Sequence, residues 1–319
     1  GGEGRGTRKS DNVFAIQTPV AIAVAFRRGK VKKGRPAAVH YARIEGSRDA
    51  KLQALGAISN FASVKWQDCP SDWHAPFRPA GRGKYFDWPL LIDLMPWQHS
   101  GVQLKRTWPI CPDPETLAAR WRALLRSKDM PAAFKETRDR KVSGEYPPLL
   151  HAEEPEKPLC QVSRSAPLPK IERCAYRSFD RQYILADNRL GDFLRPALWR
   201  AHGKRQAYLT SLLTKFLGTG PALTACAAIP DLDHFSGRGA KDTIPAYRNA
   251  GATEANLLPG LLDPLSKAYM RKVTPEDFFA YVYGVLAQPA FTTRYARELE
   301  SRELRVPITR NAALFAKVR

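Results

Sequence analysis

Apolar and polar positions alternate along the chain in distinct rhythms, and each rhythm predicts an element. Residues 20–26 run Val-Ala-Ile-Ala-Val-Ala-Phe without a polar break, which predicts a strand buried on both faces. A basic turn over 27–35 follows, and 37–44 reads as the partner strand of a hairpin. Residues 47–58 predict a short helix, with Ser47 as its N-cap and Leu52, Leu55 and Ile58 at helical spacing. A second helix is expected over 113–128: Pro114 stands in the first turn, and Leu117, Trp121, Leu124 and Leu125 line one face. Residues 176–185 read as a strand in which aromatics interleave with charge, 206–221 as a helix or strand ending in Gly218-Thr219-Gly220, and 223–229 as another apolar strand. Thr274-Pro275-Glu276-Asp277 starts a helix that continues through Phe278, Tyr281, Val282, Val285 and Leu286. Pro289 ends it and opens a second helix to about residue 300.

The segments between these elements organise the chain. Residues 66–112 are rich in Trp, Pro and Gly, and hold Trp66, Trp73, Trp88, Trp97 and Trp108; a domain boundary is expected inside them. Residues 143–170 are rich in Pro and Glu and read as a surface excursion. With 319 residues the chain is long enough for two domains. It opens on a glycine-basic loop and reads as a piece of something longer.

Charge changes the picture. Lys and Arg number 51 against 31 acids, a net charge of +20. A surface this basic calls for a polyanionic partner; a dispersed, solvated charge is the plainer reading. A membrane partner is disfavoured, because no apolar run approaches the ~20 residues needed to span a bilayer and no signal peptide opens the chain. The five cysteines, Cys69, Cys111, Cys160, Cys174 and Cys226, are scattered and odd in number. They indicate neither a zinc ribbon nor a disulfide framework, and suit a reducing, cytoplasmic setting.

Two motifs invite sharper chemistry. Phe216-Leu217-Gly218-Thr219-Gly220 has the spacing of a methyltransferase cofactor loop, but Pro221 and a strand-like run follow where a helix should; a glycine turn between strands is the better account. Asp231-Leu232-Asp233-His234 could hold a hard cation. No second acidic cluster accompanies it, so a polar loop touching DNA or capping a helix is preferred. The basic segments at 5–9, 27–35, 105–106, 138–141, 200–205 and 238–241, with Tyr176, Phe179, Tyr183 and Phe235 nearby in sequence, fit phosphate clamping combined with base-edge reading by arginine.

Five stretches, in order, carry a resemblance. They are V-F-A-I-Q-T-P-V-A-I-A-V (13–24), A-F-K-E-T-R-D-R-K (133–141), Y-R-S-F-D-R-Q-Y (176–183), I-P-D-L-D-H-F-S-G-R-G (229–239) and P-E-D-F-F-A-Y-V-Y-G-V-L-A-Q-P-A-F-T-T-R-Y-A-R-E-L (275–299), closed by R-V-P-I-T (305–309). Through them the chain resembles the C-terminal part of type ISP restriction-modification enzymes and related adenine-specific DNA methyltransferases. The resemblance implies an α/β chain in two parts. Residues 1–100 would be the last strands of a Rossmann-like methyltransferase domain, and 101–319 a mixed α/β target recognition domain with a C-terminal helical pair. It implies duplex DNA as partner, a role in phage defence, and an S-adenosylmethionine-dependent parent that flips an adenine out of the helix. The Asn-Pro-Pro-Tyr motif of that chemistry is absent from this sequence, so no complete catalytic set, no metal and no cofactor are expected for this chain alone. Upstream methyltransferase domains, with helicase or nuclease domains beside them, would be further partners.

Phe14 occupies the place of the aromatic that packs on the flipped base in such enzymes; the plain alternative is core at a strand start. For DNA contact, chemistry selects Arg177, Arg181, Arg189, Arg238 and Lys241, with Arg5, Arg8, Lys9, Lys105 and Arg106 near phosphate. A metal-dependent nuclease built on Asp231 and a non-enzymatic RNA-binding module stand as the competing functions.

Overall fold

The helix 114–126 shows how directly local sequence acts in this chain. Asp113 caps it by accepting from the amides of Glu115 and Thr116, Pro114 needs no amide partner in the first turn, and Leu117, Trp121, Leu124 and Leu125 are buried along one stripe. The computed structural model describes residues 11–16, 20–30, 34–71, 77–79, 84–150, 156–211, 220–235 and 239–319. Its strands are β1 (His40–Tyr41), β2 (Gln67–Asp68), β3 (Ile110–Cys111), β4 (Ile171–Arg177), β5 (Asp180–Leu185), β6 (Tyr208–Ser211), β7 (Leu223–Cys226), β8 (Ile229–Pro230) and β9 (Asp242–Pro245). Its α-helices are α1 (Arg48–Gly56), α2 (Leu91–Leu94), α3 (Pro114–Arg126), α4 (Met130–Phe134), α5 (Pro196–Ala201), α6 (Leu262–Tyr269), α7 (Pro275–Leu286), α8 (Pro289–Arg294) and α9 (Ala312–Val318).

The chain divides into two units, residues 1–82 and 83–319. In the first, α1 forms where its spacing predicts, with the Ser47 hydroxyl accepting from the Ala50 amide. None of its residues is buried. The expected 20–26 strand is not formed. Those residues join no ladder, and Val20, Ile22, Val24 and Phe26 are exposed, Phe26 at 83%. A strand buried on both faces needs neighbours at its edges and layers above and below it. Here the described ladder consists of β1 against β2, through His40↔Asp68 and Tyr41↔Gln67. The 37–44 segment therefore pairs downstream at two residues, not back onto 20–26 as a hairpin.

The second unit is a mixed α/β assembly around two sheets. One has the order β3-β5-β4-β8, antiparallel except for the parallel β4/β8 pair; the other is antiparallel in the order β7-β6-β9. Side chains alternate across a strand, and β5 shows the result. Ile184 enters a core with Leu194, Leu198, Trp199 and Tyr208, while its neighbour Leu185 enters another with Leu117, Trp121, Leu124 and Phe134. The four-stranded sheet is thus covered by α3 on one face and α5 on the other. A third core joins the three-stranded sheet to the C-terminal helices, through Leu209, Leu223 and Ile244 on the strands and Phe278, Val282, Leu286 and Phe315 on α7 and α9.

Three sequence expectations are refined here. The 176–185 strand is two strands of a hairpin, because the turn falls at Ser178 and Phe179. The 223–229 strand is split, since Ala227 and Ala228 separate β7 in one sheet from β8 in the other. The second C-terminal helix stops at Arg294 and gives way to a 3-10 turn at Glu298–Ser301. Strand β6 takes the early part of the 206–221 segment, whereas 212–219, with most of the glycine motif, lies outside the described residues. The 143–170 excursion is irregular where described, apart from a 3-10 turn at Leu159–Gln161. All five cysteines are free thiols. Among the described residues, no helix is long and apolar enough to cross a membrane.

Candidate nucleic-acid interface

The β4–β5 hairpin carries the densest set of sequence-selected residues. Its ladder brings Arg173 opposite Tyr183, with the guanidinium 4.7 Å over the ring, and Arg177 opposite Asp180 at the turn. A register shift between Cys174 and Arg177 bends the strand just before the tip. The tip is held from both sides. Arg181 Nη1 donates to the carbonyls of Arg177 (2.8 Å), Ser178 (3.2 Å) and Asp180 (3.3 Å), closing the turn from within. The Ser178 hydroxyl donates to the His234 carbonyl at 2.8 Å, tying the turn to the loop that follows β8.

That loop is built on Asp231. Its amide donates to the Ala175 carbonyl at 3.0 Å, extending the parallel β4/β8 pairing. Its carboxylate accepts from Arg177 Nη1 (2.8 Å) and from the Asp233 amide (2.8 Å). Burial pushes the Asp231 carboxyl up to about 6, against the opposing pull of the Asp233 amide and of Arg177. Burial likewise lowers the His234 imidazole, whose Nδ1 lies 3.1 Å from the Ala175 carbonyl; that carbonyl opposes the shift, while Arg181 and Arg177 add to it. Among the described residues, no group of three His, Cys, Asp or Glu side chains gathers to hold a metal ion. Asp231 serves instead as the anchor of Arg177, which also stacks 3.8 Å over the Tyr176 ring and keeps 42% of its side chain exposed. Lys241 is exposed beyond Gly239 and Ala240. Arg5, Arg8, Lys9 and Arg238 lie outside the described residues.

Three other selected cations sit in a second cluster. Arg106 points inward: its side chain is 8% exposed, lies 3.9 Å over the Phe134 ring, and donates to the carbonyls of Phe134, Lys135 and Leu190. Its Nε is 3.8 Å from the fully buried Asp192 carboxylate. Burial draws the Arg106 guanidinium below its ordinary value, and Asp192 opposes that shift. Lys105, next to it in sequence, turns outward to Asp139 and lies 4.8 Å over the Phe193 ring. Arg189 grips Asp187, the Lys157 carbonyl and Glu156. Arg106 and Arg189 thus hold loops together, while Arg177, Lys105 and Lys241 keep exposed surface.

In the first unit Phe14 is 58% exposed, with its amide donating to the Asn12 side chain at 2.8 Å. Phe179, which the sequence offers only as one aromatic among several, is the most exposed large apolar residue of the described chain. The signal for it was the pair Ser178-Phe179 interrupting the alternation of a strand-like run.

The two sheets, the α3 and α5 layers and the cationic hairpin all fall within the stretch matched by one family of specificity domains. The family described as Type ISP C-terminal specificity domain matches residues 93–319, and the chain belongs to that family. Two solved structures are similar in fold. The cryoEM structure of the DrdV–DNA complex is 17% identical, with a TM-score of 0.52, over 85% of this chain and 28% of that one. The ATP-dependent Type ISP restriction-modification enzyme LlaBIII bound to DNA is 14% identical, with a TM-score of 0.54, over 88% of this chain and 19% of that one. The chain therefore spans less than a third of either of these two solved chains. No curated protein matches it.

Proposed function

We propose that residues 101–319 read sequence in double-stranded DNA, as the specificity end of a larger restriction-modification enzyme. The observation that carries this reading is the anchored β4–β5 hairpin, which presents Arg177 at an exposed turn closed from within by Arg181, on a chain of net charge +20. Arg177, with exposed surface and a fixed Asp231 partner, is placed to read a base edge. Lys105 and Lys241 are suited to phosphate.

In the same proposal residues 1–100 end an adenine-specific methyltransferase domain. The exposed Val20, Ile22, Val24 and Phe26 suit a strand that pairs only when the rest of a Rossmann-like sheet is present, and Phe14 has a free ring face for a flipped adenine. S-adenosylmethionine would bind in the longer enzyme. The residues of this chain do not fit that cofactor, because strand β7 follows the glycine motif where a cofactor loop leads into a helix. No step is assigned through it. A cytoplasmic setting suits five free thiols.

The test is fluorescence anisotropy of the full chain with duplex DNA at ~100 mM salt, where phosphate contacts still dominate. Failure of every duplex to bind there removes the reading. Preference for structured RNA in competition would favour an RNA-binding module. Magnesium-dependent cleavage that is lost on joint Asp231→Ala and Asp233→Ala substitution would favour a nuclease.

A further inference from the structure

We infer that Phe179 is a wedge that enters the base stack of bound DNA at one step. The inference rests on the duplex-binding reading above and adds a residue and an action to it.

Phe179 is 103% exposed, so nothing in the chain covers its ring. A side chain of this size removes a large apolar area from water when it is buried, and leaving it bare gives the folded chain nothing. Turn chemistry does not ask for it either. Two-residue hairpin turns favour Asn-Gly or Gly-containing pairs with positive φ, and neither Ser178 nor Phe179 has positive φ. The bend is accommodated by the register shift between Cys174 and Arg177, which leaves the turn free to carry a residue chosen for another purpose.

The ring is also held out firmly. Three carbonyls of the tip converge on Arg181, the Ser178 hydroxyl is fixed to the loop after β8, and Arg177 is fixed to Asp231. A partner therefore meets a Phe179 ring whose backbone is already ordered, and little entropy is lost on insertion. The frame around the ring selects the partner. Arg177 and Arg181 stand two residues to either side of it in sequence, Arg177 keeps 42% of its side chain exposed, and the adjacent acid, Asp180, is engaged by Gln182 Nε2 at 2.7 Å. A bare aromatic inside a cationic frame suits a surface that is apolar within and anionic at its rim. Stacked bases between phosphates have that character, and apolar wedges that part base steps are an established way of bending DNA. An apolar protein surface would leave the exposed part of the Arg177 guanidinium poorly matched.

The probe is a set of duplexes recovered by the full chain from a randomised pool, with 2-aminopurine moved through each position in turn. Wedge insertion predicts a rise in 2-aminopurine fluorescence at one step on binding. Phe179→Ala should abolish that rise and weaken binding about 10- to 50-fold, with an unchanged melting temperature. Phe179→Trp should restore both signals. If the parent chain recovers no duplex, the DNA reading and the wedge fail together. If it recovers duplexes and Phe179→Ala binds them equally, or binds more weakly yet keeps the fluorescence rise, the wedge alone is overturned and the ring contacts something other than the stack.

Discussion

Lys105 and Arg106 are neighbours in sequence with opposite assignments, and the pair offers the sharpest check on the structure. Arg106→Met keeps the length and apolar stem of the side chain and removes the guanidinium. Three backbone carbonyls then lose a charged donor, and the Phe134 ring loses its cation. Asp192, fully buried, keeps the Thr137 hydroxyl at 2.5 Å and the attraction of the Arg140 guanidinium as described partners for its charge. Removing one member of a buried charged pair costs about 3–5 kcal/mol, and the lost carbonyl contacts fall largely within that figure because the effects are not additive. For a unit of this size, about 4 kcal/mol corresponds to a melting temperature lower by roughly 10 °C. Asp192→Asn in the Arg106→Met background should recover part of the loss, since it removes the stranded carboxylate. Lys105→Ala should leave the melting temperature within about 2 °C and weaken duplex binding in a salt-dependent way. Differential scanning calorimetry and anisotropy on the same preparations give both readouts. An Arg106→Met chain that melts within about 2 °C of the parent, yet binds DNA poorly, would show that Arg106 faces phosphate and that its inward placement is wrong.

Other outcomes follow from the same geometry. The Asp231 carboxyl is raised from 3.8 to about 6, so its stabilising contribution is fully present below pH 3.8 and is lost as pH rises through about 6. Asp231→Asn should therefore gain stability relative to the parent across that window, on the order of 2 kcal/mol in urea titrations; parallel curves at all pH values would contradict the burial argument. Thr274 and Asp277 close a capping box at the start of α7, with hydrogen bonds of 3.2 and 3.1 Å. Thr274→Ala should destabilise the second unit by about 1–2 kcal/mol, measured by chemical denaturation, without altering the salt slope of DNA binding. Lys241→Ala should lower that slope by roughly 1 at unchanged stability; an unchanged slope would place Lys241 away from phosphate.

What could be read from sequence follows the range of the forces involved. Helices α1, α3 and α7 were legible because caps, Pro at the first turn and apolar spacing are local signals, and Ser47, Asp113 and Thr274 perform the capping seen in the structure. The hairpin at 171–185 was not, because a turn of Ser178 and Phe179 lacks the Gly or Asn that marks such turns, and the tertiary contacts of Arg181 and Ser178 stabilise it instead. The inward and outward fates of Arg106 and Lys105 depend on Phe134, Leu190 and Asp192, tens of residues away, and no local pattern encodes them. The 20–26 run shows the converse: a strong strand pattern alone does not form a ladder, and these residues stay unpaired and exposed.

Ala227 and Ala228 make the shortest of the chain connections between the two sheets of the second unit. A bridge this short can span no more than about 10 Å even when fully extended, so neither sheet can swing or slide independently of the other. The turn at Ser178 is tied by hydrogen bond to the loop that leaves this bridge through β8. Load applied at the tip by a bent duplex would pass through the two alanines into the β6–β7 ladder, and from the Ala222 amide to the Leu286 carbonyl at the end of α7. The amides of β5 and β6 should then exchange with solvent as one cooperative block, and a ligand that protects one sheet should protect the other to the same degree.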